Sequence, residues 1–405
     1  MFSLFSRRVL AQRSNSVLSR SLSFTIHQTN TKDGTMEESN LIAIIGRGNM
    51  AKTVIGGLLN DGVTPDKIIL SSPSINHLPS IDFTFNKTTH TFKVAKSNKE
   101  AIIKSDSIIL VVKPFNAEEV LTDIAPVLDE KPLISVMAGI SINTIQSLLN
   151  APNANIIRLM PNTPASIGKG TGASYVKPTT FLSNAQLNQV NTITLAFGCP
   201  ITLHNETLLN AVTATSGSGS AYVYLLIECL LDVYEKRGIN SLLAMDKIRA
   251  DFEGELQPSP SNNALIIRQF KNNMKQCAID MGLTQKDAGI LVEQTFSGAM
   301  ALVNQTLGNK TDVSPKDSVA QLIINVTSKG GTTFAALDCF RKQGLLDIIT
   351  EMMAPDSTKE RYRALQNRLD ITITKSMSAA YERAEEMAET AEQKANPIIT
   401  LPIKN

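Results

Sequence analysis

The chain has 405 residues, of which 42% are hydrophobic and 19% charged, and its formal net charge is +2. This length and composition predict a soluble globular protein with room for two ordinary domains. The small net charge argues against a nucleic-acid partner, and no apolar run is long enough to predict a membrane span. The four cysteines are scattered, without CxxC pairs or clustered histidines. This pattern argues against a disulfide scaffold and against a metal site, and it fits a reducing compartment.

The N-terminal segment differs in composition from the rest of the chain. Residues 1–36 are rich in arginine and serine, and no acidic residue precedes Asp33. This composition is typical of an amphipathic transit peptide, and the segment lacks the long apolar core of a secretory signal. We therefore expect import into the mitochondrion. A basic tail with no targeting role, which would leave the protein in the cytoplasm, is the alternative.

Short apolar runs alternate with helical patterns from Leu41 to about residue 200. The run SIILVV at 107–112 is continuous and β-branched, as in a central parallel strand that is covered on both faces. Further runs predict strands at 41–45, 67–70, 133–137 and 155–160. Strands that alternate with helices predict a doubly wound, mostly parallel α/β sheet of the Rossmann type, in a domain that spans residues 40–200.

The segment GRGNMA at 46–51 directly follows the first predicted strand and opens the first predicted helix. It matches the G-x-G-x-x-G/A pattern of dinucleotide-binding loops. Gly46 would allow the tight turn, Gly48 would let the backbone approach a pyrophosphate, and Ala51 would let the helix pack on the strand. The helix N-terminus would then bind the phosphates. We predict cofactor contacts at Gly46, Arg47, Gly48, Asn49, Met50 and Ala51.

The second predicted strand ends in Ser71 and Ser72 and carries no carboxylate there. NAD-preferring sites usually place Asp or Glu at this point, to bind the ribose 2′-hydroxyl. Hydroxyl and backbone N–H groups tolerate a 2′-phosphate, and Arg47 in the loop would add positive charge. We therefore expect NADPH as the cofactor, with the use of NADH left open.

The tripeptide Val112-Lys113-Pro114 ends the SIILVV strand at the carboxyl edge of the sheet, where open α/β sheets bind ligands. A backbone turn there could pack along the ribose or the nicotinamide. The alternative is that Lys113 is an ordinary solvated lysine.

Residues 201–375 form a second predicted domain, which is mostly helical. The segment 235–275 contains GELQPSPSNN and interrupts this pattern with polar, Pro-, Ser- and Asn-rich sequence, so we interpret it as an insertion or a flexible loop. Residues 376–405 predict a charged C-terminal tail that forms a solvated helix, and we assign it no chemistry.

Two glycine-rich segments stand before predicted helices of the second domain: TSGSGSAY at 215–222 and VTSKGGTT at 326–333. Each offers hydroxyls and exposed N–H groups at a helix start, where an anion can bind. Singly, each is better explained as a cap and turn, but together they predict a clasp for a small carboxylate. The sequence offers no His/Asp pair, Ser-His-Asp order or metal cluster. Reduction of a protonated imine needs none of these, because positioning and electrostatics can carry the catalysis.

These motifs together resemble the pyrroline-5-carboxylate reductase family. They occur in family order between about residues 41 and 345: IAIIGRGNMAKTVIGGLL, SDSIILVVKP, ISVMAGISI, RLMPNTPASIGKG, NAVTATSGSGSAYVY and NVTSKGGTTFAAL. The resemblance implies reduction of L-1-pyrroline-5-carboxylate to L-proline with NAD(P)H, which is the last step of proline biosynthesis. It also implies that an all-α dimerisation and substrate domain follows the Rossmann domain, and that the chain forms a homodimer or a larger homo-oligomer.

Residue roles follow from the resemblance by position. Beyond the phosphate loop, it implies cofactor contacts at Ser71, Ser72, Asn98, Val112, Lys113, Pro114, Ala138, Gly139 and Asn325. It implies substrate contacts at Glu206, Ser216, Gly217, Ser218, Gly331, Thr332 and Thr333. Thr333 is the catalytic candidate, as the residue implied to hydrogen-bond the ring nitrogen. The family usually has proline at Ser220 and Lys329, so both glycine-rich loops are expected to be freer here, and Lys329 adds a positive charge.

Two other interpretations stay open at this point. One is a different NADP-dependent imine or β-hydroxyacid reductase on the same two-domain plan. Hydroxyacid enzymes of this plan usually use a lysine of the helical domain as general acid and base, and no lysine here stands in a matching context. The other is a non-catalytic NADP-binding regulator that kept the fold.

Overall fold

The computed structural model describes residues 40–85, 87–199, 201–254, 261–308, 313–354 and 358–395. The predicted transit peptide at 1–36 and the last part of the predicted tail lie outside the described residues.

The N-terminal half folds around one twisted sheet in the order β3-β4-β2-β1-β5-β6-β7-β8-β9. Its strands are β1 (Ile42–Ile45), β2 (Ile68–Ser71), β3 (Ser80–Phe85), β4 (Thr88–Val94), β5 (Ser107–Leu110), β6 (Leu133–Ser135), β7 (Ile156–Pro161), β8 (Gly172–Val176) and β9 (Ile201–Thr202). The pairs β3–β4 and β7–β8 are antiparallel and the other neighbouring pairs are parallel. The helices of this half are α1 (Asn49–Asn60), α2 (Asn98–Ile103), α3 (Ala117–Ile124), α4 (Ile142–Leu148) and α5 (Asn184–Ala196).

The predicted Rossmann fold is confirmed, and each of the predicted strands is present. The sequence pattern missed β3, β4, β8 and β9. The hairpin β3–β4 lies at the edge of the sheet and is mostly exposed or half-buried, so its sequence carries threonines where a central strand carries apolar residues. The strands β8 and β9 lie at the opposite edge, and β9 has only two residues.

The central strands are apolar throughout because both faces of the sheet are covered. In β1, Ile44 packs with Val54 of α1 on one face, whereas Ile45 packs with Ile102 of α2 on the other. All four β1 residues are buried. Alternate side chains of a strand point to opposite faces, so a strand between two helical layers needs a continuous apolar run.

The second half is helical. Its helices are α6 (Leu208–Val212), α7 (Gly219–Lys236), α8 (Ser241–Gly254), α9 (Asn262–Asp280), α10 (Gln285–Gly308), α11 (Pro315–Val326), α12 (Thr332–Lys342), α13 (Leu345–Met352) and α14 (Lys359–Ala395). The helix α7 lies at the centre of this core, where Tyr222 and Tyr224 are fully buried. No helix in the described ranges combines the length and the apolar content that crossing a bilayer requires.

The interpretation of 235–275 as an irregular loop is wrong for the described part of it. The helices α8 and α9 occupy most of this segment, and Ser261 caps α9 by accepting a hydrogen bond from the backbone N–H of Ala264 at 3.1 Å. Phe270 and Met274 are fully buried in the helical core. The polar composition misled the prediction because each helix buries only one stripe and leaves a wide polar face in solvent.

The predicted tail is not a separate, wholly solvated element. The helix α14 runs without a break through residue 376, and Ala380 and Ala384 beyond this point are buried. At Ala384 and Met387, α14 lies directly against the Rossmann domain. A methyl group added at Gly139 would come within 2.7 Å of the Met387 Cβ and 3.2 Å of the Ala384 carbonyl oxygen.

The motif RLMPNTPASIGKG links the two domains. Its residues Thr163–Ile167 form a short 3-10 helix that packs against α1 and α10. The contacts leave no room for side chains, since a methyl group at Gly56 would lie 2.7 Å from the Ser166 carbonyl oxygen. One at Gly298 would lie 2.3 Å from the Lys169 carbonyl oxygen. Glycine is therefore required on both helices that touch this motif.

Candidate active site

The loop after β1 lies at the switch point of the sheet, where β1 pairs with β2 on one side and β5 on the other. Gly46 has φ of 120°, and its N–H donates to the Ser71 carbonyl oxygen at 2.8 Å. A methyl group at Gly46 would lie 2.5 Å from the Val111 carbonyl oxygen. Both the backbone conformation and the close approach of the β5 end therefore require glycine.

The next part of the loop is open. Gly48 precedes α1 with an ordinary φ of −68°, and no side chain caps the helix there. A methyl group at Gly48 would meet no described atom within 4 Å. Arg47, Gly48 and Asn49 are exposed, whereas Ala51 is buried against the sheet. Uncapped N–H groups beside an open glycine make a cradle that fits the pyrophosphate of a dinucleotide.

The serines at the end of β2 are ordered by two asparagines. The Ser71 hydroxyl donates to Asn98 Oδ1 at 2.7 Å, and Ser71 is fully buried. The Ser72 N–H donates to Asn76 Oδ1 at 2.8 Å. Ser71 and Asn98 thus hold each other beside the phosphate loop, and Ser72 presents the more accessible hydroxyl. The sequence interpretation missed Asn76.

The other predicted cofactor segments end β5 and follow β6, at the same edge. Lys113 and Pro114 line a cavity, and the Lys113 ammonium lies 6.0 Å from the centre of the Phe115 ring. Gly139 has φ of 70° and, as described above, packs directly on α14. The C-terminal helix therefore covers the sheet edge next to Ala138 and Gly139.

The expectation that TSGSGSAY forms a loop before a helix is wrong. Residues Thr213–Gly217 form a π-helical turn that continues from α6 into α7, and Ser216 and Ser218 are buried. The Ser216 hydroxyl donates to the Val212 carbonyl oxygen at 3.1 Å. This bond gives the buried Ser216 hydroxyl a partner within the helix. Single π-turns of this kind are frequent at functional sites.

Three hydroxyl groups from the two glycine-rich segments meet in the structure. The Thr333 hydroxyl donates to Ser218 Oγ at 3.1 Å, and Ser218 Oγ lies 3.1 Å from Thr332 Oγ1. All three side chains are buried. Thr332 and Thr333 begin α12, whose N-terminus is capped by no side chain. The two glycine-rich segments thus meet as predicted, with Ser218 at the start of α12. Ser218, however, belongs to a continuous helical segment and not to a loop.

Asn325 at the end of α11 reaches the phosphate loop. Its carbonyl oxygen accepts a hydrogen bond of 2.8 Å from the Asn49 side-chain amide. This contact joins two predicted cofactor positions that stand 276 residues apart, one in each domain.

Glu206 forms an ion pair with Arg158. Its Oε1 lies 3.1 Å from Arg158 Nη1 and accepts the Ile142 N–H at 2.7 Å. Arg158 also donates to the Met137 carbonyl oxygen at 3.1 Å. Burial lowers the pKa of Arg158, and the charge of Glu206 acts in the opposite direction. The bonds that the structure gives Glu206 therefore anchor α4 and β7 rather than the hydroxyl cluster.

A cavity of about 310 Å³ lies beside the end of β5, and Lys113 and Gly331 are among its lining residues, whereas Ser218, Thr332 and Thr333 are not. One wall is Lys113 and Pro114, and another is the loop from Ser328 to Gly331. The third wall belongs to α14, which the sequence interpretation had left without a role. It contributes Arg383, Met387, Thr390, Ala391 and Lys394. The spaced Ala and Met positions of this helix signal a buried stripe, but not what the stripe contacts.

Comparisons with known proteins match both halves of the chain. The family model "NADP oxidoreductase coenzyme F420-dependent" matches residues 41–139, and the model "Pyrroline-5-carboxylate reductase dimerisation" matches 206–260 and 259–365. The pyrroline-5-carboxylate reductase of Pseudomonas aeruginosa is 30% identical over 328 residues, which cover 80% of this chain and 97% of the relative. The enzyme of the same name from Haemophilus influenzae is 30% identical over 317 residues, which cover 78% and 94%.

Among solved structures, the chain matches Plasmodium falciparum pyrroline carboxylate reductase with NADP bound. The identity is 23% and the TM-score 0.46, over 86% of this chain and 98% of that one. The two bacterial relatives are matched over nearly their whole length. This confirms the resemblance that the motifs predicted: the chain belongs to the pyrroline-5-carboxylate reductase family.

Proposed function

We propose that this protein reduces L-1-pyrroline-5-carboxylate to L-proline with NADPH. The observation that carries the proposal is the cavity that a predicted cofactor segment shares with a predicted substrate segment: Lys113 and Pro114 form one wall, and the loop that ends at Gly331 forms another. The family relatives carry the same activity in their names. The uncharged hydroxyl cluster at the start of α12 suits an imine, which needs positioning more than a strong base.

The cofactor is held at the carboxyl edge of β1, β2 and β5. The N–H groups at the start of α1 bind the pyrophosphate, and Gly48 lets the backbone come close to it. Ser72 and Arg47 lie where a 2′-phosphate is accommodated, and the exposed Arg47 adds the charge that favours NADPH over NADH. NADPH, when bound, supplies the hydride.

Thr333 is the residue that acts on the substrate. Its hydroxyl oxygen accepts a hydrogen bond from the iminium N–H of the ring while its own proton stays donated to Ser218, which orients the C=N bond for hydride addition. The C=N π-electron pair moves onto nitrogen as the new C–H bond forms, and the amine of L-proline keeps the proton of the iminium. The bonds that join Ser218 to Thr332 and Thr333 are kept, so substrate binding leaves no buried hydroxyl of this cluster without a partner.

The substrate carboxylate binds at the N-terminus of α12. Gly331 caps this helix with its backbone alone, so the first-turn N–H groups near Thr332 and Thr333 are available to an anion. Lys329, which stands where the family usually has proline, borders the same cavity and adds positive charge.

The deciding experiment mixes the purified protein with NADPH and pyrroline-5-carboxylate and follows the nicotinamide absorbance together with the appearance of L-proline. Proline formed in step with NADPH consumed supports the proposal. Consumption of NADPH with other cyclic imines or β-keto acids, but not with pyrroline-5-carboxylate, would move the assignment to a related reductase. Binding of NADPH without turnover on any of these would indicate a regulator.

The chain assembles as a homodimer or a larger homo-oligomer through its helical domain. The support is the dimerisation family match and the set of large apolar side chains that this domain leaves exposed. Leu242 is 69% exposed, Ile324 64% and Phe334 46%. Sedimentation of the wild type against a variant with Ile324→Asp and Phe334→Asp tests this, since an unchanged mass would remove this surface from the interface.

Residues 1–36 direct the protein to the mitochondrion. The support is their acid-free, arginine- and serine-rich composition and their position ahead of the first family match at residue 41. Imaging of the full chain beside a version without residues 1–36 checks this, and identical cytosolic staining of the two would contradict it.

A further inference from the structure

The C-terminal half of α14 forms a wall of the candidate active site. The cavity-lining positions of this helix recur every three or four residues, at Arg383, Met387, the adjacent pair Thr390 and Ala391, and Lys394, which places them on one face. The matched family segment ends at residue 365, well before the first of them. The family model therefore does not describe this wall.

The same stretch of α14 is fixed to the Rossmann domain. Gly139 admits the helix backbone so closely that even a methyl group would collide with Met387 Cβ. The Ser141 hydroxyl donates to Glu392 Oε1 at 3.4 Å, and the Ser147 hydroxyl donates to the Ala395 carbonyl oxygen at 3.3 Å. Since these contacts run along the cavity-lining stretch, from Ala384 to Ala395, the helix holds a defined position over the sheet edge.

Arg383 connects this fixed helix to the substrate loop. Its Nε donates to the Gly330 carbonyl oxygen at 2.8 Å, and its Nη1 binds Glu386 at 2.7 Å. The loop needs such a tether, because Gly330 has φ of 70° and its neighbour Gly331 adds further freedom. Glu386, one turn from Arg383 on the same helix, holds the guanidinium in the orientation that reaches Gly330.

We propose that Arg383 is a positioning residue for pyrroline-5-carboxylate binding: from the C-terminal helix it holds the Gly330–Gly331 turn in the conformation that presents the N-terminus of α12 to the substrate carboxylate. Because this substrate is the one proposed above, the assignment rests on the proposed function. Loss of the Arg383 tether lets the glycine turn populate other conformations. The affinity for substrate then falls in proportion to the fraction of molecules that keep the binding-competent conformation. The phosphate loop lies on another element, so NADPH binding does not depend on Arg383.

The test compares full-length wild type, Arg383→Gln, Arg383→Lys and the control Arg368→Gln. Arg368 lies on the same helix and pairs instead with Glu351, so its removal costs the same charge without touching the loop. We expect Arg383→Gln to raise the KM for pyrroline-5-carboxylate about tenfold, the effect of losing one charge-assisted hydrogen bond, with a smaller change in kcat. The Kd for NADPH and the Tm should match those of Arg368→Gln.

Arg383→Lys keeps the charge but cannot hold Gly330 and Glu386 with one planar fork, so its KM should lie between those of wild type and Arg383→Gln. A KM for Arg383→Gln equal to that of Arg368→Gln would overturn the assignment, as would a rise in KM accompanied by an equal weakening of NADPH binding. A wild type that binds NADPH but does not reduce pyrroline-5-carboxylate would overturn the proposed function itself. The activity of the wild type is therefore measured before any variant is compared with it.

Discussion

Asn49 and Asn325 join the phosphate loop to the helical domain through a hydrogen bond of 2.8 Å from the Asn49 amide to the Asn325 carbonyl oxygen. Asn49 is the first residue of α1, and Asn325 is the second-last residue of α11. The acceptor is a backbone atom, so the bond depends on the Asn49 side chain but not on the Asn325 side chain. The two positions can therefore be tested against each other.

Replacement of Asn49 by alanine should lower the free energy of unfolding by about 0.5–1 kcal/mol, because it removes one hydrogen bond at an exposed site. Replacement of Asn325 by alanine keeps the acceptor oxygen and should leave the Asn49 bond intact. Urea unfolding of the two variants beside wild type measures the difference. Equal losses in both variants would show that the asparagine side chains act through some other contact.

The glycines of the phosphate loop should separate folding from cofactor binding. Gly46→Ala forces a left-handed φ on alanine and drives its methyl group into the Val111 carbonyl, so we expect a poorly folded or insoluble product. Gly48→Ala has an ordinary φ and meets open space, so the variant should fold with an unchanged Tm. Its methyl group then occupies the place where the pyrophosphate approaches the backbone, and NADPH should bind at least about tenfold more weakly.

Calorimetry with NADPH, together with thermal melting, checks this pair of variants. A Gly48→Ala protein that binds NADPH as tightly as wild type would remove the GRGNMA turn from the cofactor site, whatever happens to Gly46→Ala.

Thr333 can be tested with variants that keep its shape. Thr333→Val replaces the hydroxyl by a methyl group of similar size, and Ser218 retains its bond to Thr332, so the fold should be preserved. We expect kcat for pyrroline-5-carboxylate reduction to fall about tenfold or more, because the ring N–H loses the oxygen that accepts its hydrogen bond. Thr333→Ser keeps the hydroxyl and should retain most of the rate. Steady-state kinetics and NADPH titration measure both effects, and a valine variant with wild-type kcat would exclude Thr333 from the chemistry.

Sequence patterns predicted the phosphate loop correctly, because consecutive residues of one short segment build it. The strand, glycine turn and helix at 42–60 follow from one apolar run, one required left-handed glycine and one helical period. The encounter of Ser218 with Thr333 was suggested only by two similar segments and a family resemblance, since the residues stand 115 positions apart. The bond from Arg383 to Gly330 had no such guide. A solvated arginine and a loop-binding arginine look alike until the packing of α14 on Gly139 is known.

The sequence did not predict the polar helices α8 and α9, for a related reason. In α8 and α9, sparse apolar residues within a polar sequence suggested a loop, because the core that they cover is supplied by other helices. Tertiary burial overrides local composition where one narrow stripe suffices. The helical segment around Ser216 and Ser218 is a second case, in which burial in the helical domain overrides the low helix propensity of glycine and serine.

Glu228 on α7 should make the protein less stable at neutral pH than it is without that charge. Burial raises the pKa of Glu228 above its ordinary value of 4.5, and Asp232 adds to this, whereas Arg341 and Lys316 act against it. As the pH rises past the ordinary value, the unfolded chain loses this proton before the folded chain does, so stability falls until the folded-state pKa is passed. Below the ordinary value, Glu228 is protonated in both states and contributes nothing to the pH dependence.

Glu228→Gln should therefore be more stable than wild type at pH 7, and the difference should disappear towards pH 4. The control Glu382→Gln removes the same charge from an exposed position on α14. Urea unfolding at the two pH values measures the free energy of unfolding of all three proteins. Each variant is compared with wild type at the same pH, so the contributions of other titrating groups cancel in the difference. If Glu228→Gln proved less stable than wild type at pH 7, attraction to Arg341 and Lys316 would outweigh the cost of burying the carboxylate, and the sign argued from burial would be wrong.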